Sequence, residues 1–209
     1  MIKYLYLVTL VIALVQGTFF PNPHQRKCET DALKRKWPRW VIQLTRSTSF
    51  LTLFSQFLLI VSLFLHTSRE IAVVAMVLET VVFFLYHVFT AIDSGLLSYH
   101  DPEFTKKATA WLPSMDKTSI AWAALHLQHT VCPLHLWVTG GIEHRSTDVW
   151  WSVGLVLGYV GWNHFCWRVQ GNPTYPIQQK LVDAGRYPVA TVGFILLTYM
   201  VATGCDYLF

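Results

Sequence analysis

Three histidines lie in one strongly apolar stretch, residues 120–138, and they are His126, His129 and His135. A stretch of that length can cross a bilayer, which requires about 20 apolar residues. Ionisable side chains are costly at such depth and mark a functional site by default. Pro133 has no N–H, so the carbonyl of His129 loses its usual helical partner. The stretch therefore predicts polar chemistry inside a membrane, beside His129.

The chemistry available to these histidines depends on their charge. An imidazole deep in a membrane should be neutral, because desolvation disfavours the charged form. A neutral imidazole can act as a general base or bind a metal. His126 and His129 are three residues apart and share a helical face, whereas His135 lies near the membrane end, where a headgroup contact explains it.

A second polar feature is a stripe formed by Ser49, Thr52 and Gln56, whose spacing places them on one helical face. Hydroxyl side chains in membrane helices often bond to their own backbone, and that simpler explanation stays open. A hydroxyl and a neutral histidine are the minimal set for nucleophilic acyl transfer. Here the two groups come from different helices, so spacing alone does not show that they meet.

A third polar seam contains Glu79, Tyr86, His87 and Thr90 at roughly helical spacing, with Asp93 at its end. A buried Glu79 needs a partner, because an unpaired charge is costly away from water. An imidazole is one candidate partner. A hydroxyl, or a protonated carboxyl, is the simpler answer.

The composition indicates a membrane protein of one domain, residues 1–209, since 53% of the residues are hydrophobic and 13% are charged. The net charge of +4 is concentrated in one loop, which is unlike a nucleic-acid-binding surface. The four cysteines form no C-x-x-C pair, so we interpret them as small apolar residues and not as a disulfide framework or a zinc site.

Six apolar segments can be drawn, at residues 4–20, 41–65, 71–92, 120–138, 149–167 and 189–208. Backbone polar groups must pair internally in lipid, so the segments predict an all-α polytopic bundle of six transmembrane helices. Arg46 interrupts the second segment, whose firmly apolar part starts near Phe50. The first segment also resembles a cleavable signal peptide, although its apolar run continues through Phe19 and Phe20.

Lysines and arginines predict the orientation of this bundle. Thirteen of them fall in or next to the loops after segments one, three and five, against three on the opposite side. The odd-numbered loops are therefore expected in the cytoplasm.

Several motifs resemble those of a known family. The run H-x-x-H-T followed by proline, here residues 126–133, resembles a segment of the androgen-induced and androgen-dependent TFPI-regulating protein family. Residues 50–52 resemble its aromatic-Leu-Thr segment, and Asp93 falls where the family has an acidic residue. A W…V-x-G-x-x-x-Y-P segment of the family is matched by Trp162, Val169, Gly171, Tyr175 and Pro176.

The resemblance implies six helices and an intramembrane threonine hydrolase that cleaves fatty acid esters of hydroxy fatty acids. The family's nucleophile falls on Thr52 and its catalytic histidine on His129. An alternative alignment of the second segment places Ser49 at the nucleophile position. Depth favours Thr52, because Ser49 is nearer to Arg46 and the cytoplasmic surface.

The expected mechanism takes its lipid ester sideways from the bilayer and uses no metal or cofactor. Neutral His126, Asn163 and backbone N–H groups near Pro133 are possible donors to the oxyanion. Gln56 and Glu79 are expected to support the site or bind substrate. We expect an integral membrane protein of the endoplasmic reticulum or plasma membrane, with no nucleic acid among its partners.

Two other classes stay open. A haem held by two of His87, His126, His129 and His164 is conceivable, although a di-iron membrane enzyme needs several histidine pairs and one H-x-x-H occurs here. The polar seams also suit a non-enzymatic channel, transporter or scaffold.

Overall fold

The computed structural model describes residues 23–49, 51–65, 69–92 and 145–208, together with five isolated residues: Tyr4, Leu7, Val8, Val11 and Leu134. Within these ranges the chain forms helices joined by short connections and contains no strand. The all-α prediction is therefore confirmed for this part of the chain. Most of the first and fourth predicted segments, including His126, His129 and His135, lie outside the described residues.

The described ranges hold seven helices. In chain order they are α1 (Pro23–Lys34), α2 (Arg39–Thr48), α3 (Leu51–Leu65), α4 (Arg69–Ile92), α5 (Ser146–Gln170), α6 (Pro176–Asp183) and α7 (Tyr187–Leu208). Four of them, α3, α4, α5 and α7, correspond to predicted apolar segments. The short helices α1 and α6 are polar additions that the six apolar segments do not include.

The second apolar segment is divided between α2 and α3. Ser49 follows α2 as its C-cap, and α3 begins at Leu51, close to the predicted firm start at Phe50. Arg46 of α2 is 7% exposed and therefore needs partners. Its guanidinium pairs with Glu29 of α1 at 2.9 Å and donates to the Gln43 side chain at 2.6 Å. Helix α2 thus packs against α1 as a separate element.

Helix α4 is the centre of the described bundle, because the ten consecutive residues 73–82 are all buried. Helices α3, α5 and α7 pack around it. One apolar cluster joins Val73 and Met76 to Leu59 of α3 and Ala202 of α7. A second cluster, nearer the start of α3, joins Leu51, Val82 and Tyr159. These contacts make α3 antiparallel to both α4 and α5.

A partly buried ion pair marks the end of the bundle where α4 and α5 begin. The two terminal nitrogens of the Arg69 guanidinium, Nη1 and Nη2, donate to the Asp148 carboxylate at 2.7 and 2.9 Å. Asp148 also accepts from the Arg145 N–H at 2.8 Å, which satisfies a free amide at the start of α5. The described cations of α1, α2 and α6 lie at the opposite end, with Arg168. The orientation of the bundle across a membrane stays a prediction.

Two of the described helices are long and apolar enough to cross a membrane, by length and composition: Arg69–Phe89 of α4 and Tyr187–Asp206 of α7. The first is mostly buried inside the bundle, whereas most of the second faces outward. The outward face of α7 carries exposed apolar side chains, as a lipid-facing helix does, and these are Val189, Val192, Leu196, Tyr199 and Met200. A weak indication of membrane association follows.

Candidate functional site

The break between α2 and α3 leaves backbone groups without helical partners, and α5 supplies them. Ser49 is 2% exposed, and its carbonyl accepts a hydrogen bond from the Tyr159 hydroxyl at 2.9 Å. The Asn163 side chain donates to the same carbonyl at 3.2 Å. The Trp162 indole N–H donates to the Thr48 carbonyl, also at 3.2 Å. One face of α5 therefore holds the end of α2.

The segment after α5 holds the start of α3. The Leu51 N–H donates to the Tyr175 hydroxyl at 3.0 Å. Burial raises the pKa of Tyr175 above its ordinary value, and the hydrogen bond from Leu51 only partly opposes that shift. The phenol consequently stays protonated at neutral pH and keeps its own proton to donate. Leu51 immediately precedes Thr52, so these contacts fix the first turn of the helix that carries Thr52.

Asn163 connects the two sides of this junction. Its amide nitrogen donates to the Thr174 hydroxyl at 3.0 Å as well as to the Ser49 carbonyl. Its amide oxygen accepts from the Gln178 side chain at 2.9 Å, and the Gln178 oxygen accepts from the Tyr175 N–H at 3.1 Å. An amide nitrogen has two hydrogens, and both have protein acceptors here. In this arrangement Asn163 supports the junction instead of offering a donor to an oxyanion.

A second polar contact lies deeper, between α3 and α4. The Ser55 hydroxyl is 2.7 Å from Oε1 of Glu79, and both residues are completely buried. The Glu79 Oε2 atom has no hydrogen-bond partner among the described residues. The predicted need of Glu79 for a partner is thus met in part, by a hydroxyl. A carboxyl group with one unpaired oxygen is costly to bury at this position.

The predicted catalytic residues are only partly placed. Thr52 and Gln56 are the second and sixth residues of α3, but their side chains lie outside the described part of the structure, as do His126 and His129. The structure therefore does not test the contact between Thr52 and His129. It does bring Ser49 and Asn163 together, through the Ser49 carbonyl.

His87 and Tyr86 of the third polar seam lie on α4, where aromatic contacts surround the histidine. The His87 ring is 4.5 Å from the Phe83 ring and 5.2 Å from the Tyr86 ring, between centroids. His164 of α5 is exposed, and its Nδ1 lies 3.1 Å from the Val160 carbonyl. No group of three metal-ligating side chains occurs among the residues that the structure describes.

Ser55 is the residue that the sequence analysis missed. It follows Thr52 by three residues, which places it one helical turn further along α3. The signal was present, because a buried Glu79 needs a partner and a serine occurs near the same depth of the neighbouring helix. Tyr159, Thr174 and Gln178 gave no comparable signal, since their partners are backbone and amide groups distant in sequence.

Comparisons of the chain with models of protein families, with curated proteins and with solved structures find no match.

Proposed function

We propose that this chain is a six-helix intramembrane lipid ester hydrolase with a threonine nucleophile, Thr52, and a histidine base, His129. Its substrates are fatty acid esters of hydroxy fatty acids. The ester enters sideways from the lipid, so no separate soluble substrate channel is needed. The site requires no metal and no cofactor.

The observation that carries the proposal is the junction before α3. Two segments that resemble the hydrolase family, residues 50–52 and the segment from Trp162 to Pro176, are distant in sequence but in contact in the fold. Leu51 of the first segment donates a hydrogen bond to Tyr175 of the second, and Trp162 contacts Thr48, two residues before the first segment. Residues that resemble one family in separate segments thus assemble around the turn that carries Thr52. A rigid helix start is what a nucleophile needs to be held in a productive geometry.

The buried pair of Ser55 and Glu79 gives additional support. Ser55 is one helical turn beyond Thr52 along α3, so the carboxyl group that Ser55 contacts lies one turn along the helix from the proposed nucleophile's position in the chain. In the proposal Glu79 is a positioning residue that, with Ser55, maintains a polar environment one turn from Thr52. A polar group buried between α3 and α4 is retained at a cost in stability, which favours a functional role.

The mechanism proceeds by acyl transfer. His129 takes the proton of the Thr52 hydroxyl as its oxygen attacks the ester carbonyl. The tetrahedral intermediate collapses with cleavage of the ester bond, and the leaving alkoxide takes the proton from His129. Water then attacks the acyl-threonine with His129 again as base. The fatty acid leaves, and the Thr52 oxygen recovers its proton.

A fluorophosphonate probe tests the nucleophile. Thr52→Ala should abolish probe labelling and ester hydrolysis, and mass spectrometry of labelled wild-type protein should place the adduct on Thr52. Ser62→Ala is the matched control, because Ser62 lies on the same helix, well beyond the junction. An adduct on Ser49 would favour the alternative nucleophile. Absence of both labelling and hydrolysis in the wild type would overturn the hydrolase.

A pair of histidine variants tests the base. His129→Ala should lower the hydrolysis of a palmitic acid ester of hydroxystearic acid by about 10²–10⁴-fold, the range of general-base catalysis. His135→Ala should keep near-normal activity, since we assign His135 to the membrane end. The opposite pattern would show that the wrong histidine has been assigned.

A proton or cation pathway is the second candidate, because Oε2 of Glu79 has no partner among the described residues in the middle of α4. Proteoliposomes with an internal pH dye distinguish the two functions. A pathway predicts proton flux that Glu79→Gln removes, without probe labelling of any hydroxyl.

A further inference from the structure

An open, positively charged surface pocket, called the cavity below, lies where α5 ends, beside the start of α7. Its volume is about 580 Å³, and its lining consists of Arg35, His164, Phe165, Trp167, Arg168 and Gly171. The lining contains two guanidinium groups and no carboxylate. Neither the break before α3 nor the pair of Ser55 and Glu79 contributes to it, so the proposed hydrolase site does not account for this cavity.

Gly171 allows Arg35 to reach the cavity. Arg35 donates from Nη1 to the Arg168 carbonyl at 3.3 Å, and its guanidinium lies so close to Gly171 that a Cβ atom there would collide with it. Gly171 also ends α5 with a φ of 82°, a conformation that glycine adopts without strain. A single glycine thus terminates the helix and makes room for the arginine.

The two arginines are not neutralised by the carboxylates at this end of the described bundle. Those carboxylates have other partners: Glu29 pairs with Arg46, Asp31 with Lys34, and Asp183 accepts from Gln179. A guanidinium carries five N–H donors, and the described contacts of Arg35 use one of them. The cavity is consequently rich in donors and in positive charge, which suits an anion.

The position of the cavity indicates where the anion comes from. The Trp167 ring, which lines the cavity, contacts the Tyr187 ring at a centroid distance of 5.6 Å. Tyr187 is the first residue of the candidate membrane span Tyr187–Asp206. Aromatic side chains are enriched at the ends of spans, at the level of lipid headgroups. The arginines therefore lie at the depth of a headgroup phosphate.

We infer that this cavity binds the headgroup phosphate of an anionic phospholipid. Arg35 and Arg168 bind the phosphate oxygens, because the planar guanidinium matches phosphate with paired hydrogen bonds. Trp167 and Phe165 provide apolar contact for the first carbons of the acyl chains. The site holds a structural or regulatory lipid at one surface of the membrane, separately from any ester substrate.

Native mass spectrometry of the full chain in detergent tests this inference. The probe is dioctanoyl phosphatidylglycerol, compared with dioctanoyl phosphatidylcholine and with inorganic phosphate. Arg35→Gln and Arg168→Gln should each weaken binding of phosphatidylglycerol about tenfold, which corresponds to ~1.4 kcal/mol. Arg186→Gln removes an equal charge from an exposed residue outside the cavity and should leave the affinity unchanged.

Three other results would contradict the inference. If all three variants lost the same affinity for phosphatidylglycerol, net charge alone would attract the lipid. If Arg35→Gln and Arg168→Gln kept the wild-type affinity, the lipid would bind elsewhere. If inorganic phosphate bound as tightly as phosphatidylglycerol, the cavity would be a site for a free anion and not for a lipid. If Arg35→Gln failed to fold, the exposed Arg168→Gln would carry the comparison alone.

Discussion

Helix α3 has two polar neighbourhoods that differ in how completely their hydrogen bonds are made. At its start, Ser49 and Leu51 receive partners from α5 and from the segment after it, and Asn163 has acceptors for both amide hydrogens. One turn inside the helix, Ser55 satisfies one oxygen of Glu79, while the other has no partner among the described residues.

The difference suggests separate roles for the two neighbourhoods: the junction before α3 supports the fold, and Glu79 has a functional role. A polar network with every member paired rigidifies the fold, and its removal should cost mainly stability. A buried carboxyl group with an unpaired oxygen carries a standing cost, so its retention needs another reason. We therefore expect substitutions at the junction to lower the free energy of unfolding, together with the activity that depends on the position of Thr52, and substitutions at Glu79 to lower activity with little change in stability.

Within this comparison, the largest expected effect is that of Glu79→Gln on ester hydrolysis. Glutamine keeps the volume and can still accept the hydrogen bond from Ser55, but its NH2 group replaces the second carboxyl oxygen and changes the polar surroundings that position the site. Hydrolysis should fall by about 10²-fold, the effect of a misplaced catalytic group, while the thermal unfolding midpoint in detergent stays near that of the wild type. Thr80→Ala, at the next buried position, is the control. If Glu79→Gln hydrolysed the ester at the normal rate, the contact between Ser55 and Glu79 would have only a structural role.

The next effect is the loss of stability in Asn163→Ala. The substitution removes donors to Ser49 and Thr174 and the acceptor for Gln178, and each buried polar group left unpaired costs about 1–3 kcal/mol. We expect a total of about 3 kcal/mol in unfolding by denaturing detergent. Thr203→Ala, whose hydroxyl bonds within its own helix, should be close to neutral. A stable Asn163→Ala protein would show that the junction holds without this side chain.

A smaller effect is expected for Ser55→Ala, which leaves Glu79 without its described hydroxyl partner. The free energy of unfolding should fall by about 1–2 kcal/mol, since one buried hydrogen bond is lost. Hydrolysis by the folded fraction should fall with it. An unchanged unfolding transition would contradict the assigned hydrogen bond.

The smallest effect is that of Tyr159→Phe. The substitution removes a hydroxyl from the Ser49 carbonyl, but Asn163 still donates to that carbonyl. The expected loss is therefore about 1 kcal/mol, the net value of one hydrogen bond. A loss as large as that of Asn163→Ala would show that Tyr159, and not Asn163, is the main support of the junction.

The apolar segments predicted the helical class and the membrane-length helices α4 and α7, because the length of an apolar run can be counted directly in the sequence. They did not predict the division of residues 41–65 between α2 and α3, or the pairing of Arg46 of α2 with Glu29 of α1. They also missed α6, although Pro176 in its first turn is a typical helix start. The six-span bundle stays a prediction.

The sequence by itself determined which polar side chains would be costly to bury. They are the carboxyl of Glu79, the guanidinium of Arg46 and the amide of Asn163, each within or beside an apolar segment. The free energy required to bury a polar side chain depends on the residue type and on the hydrophobicity of the segment around it, and both can be read from the sequence. Only the tertiary structure decided their partners. Ser55, Glu29 and the Ser49 carbonyl come from other helices, and their distance and direction depend on how the helices pack.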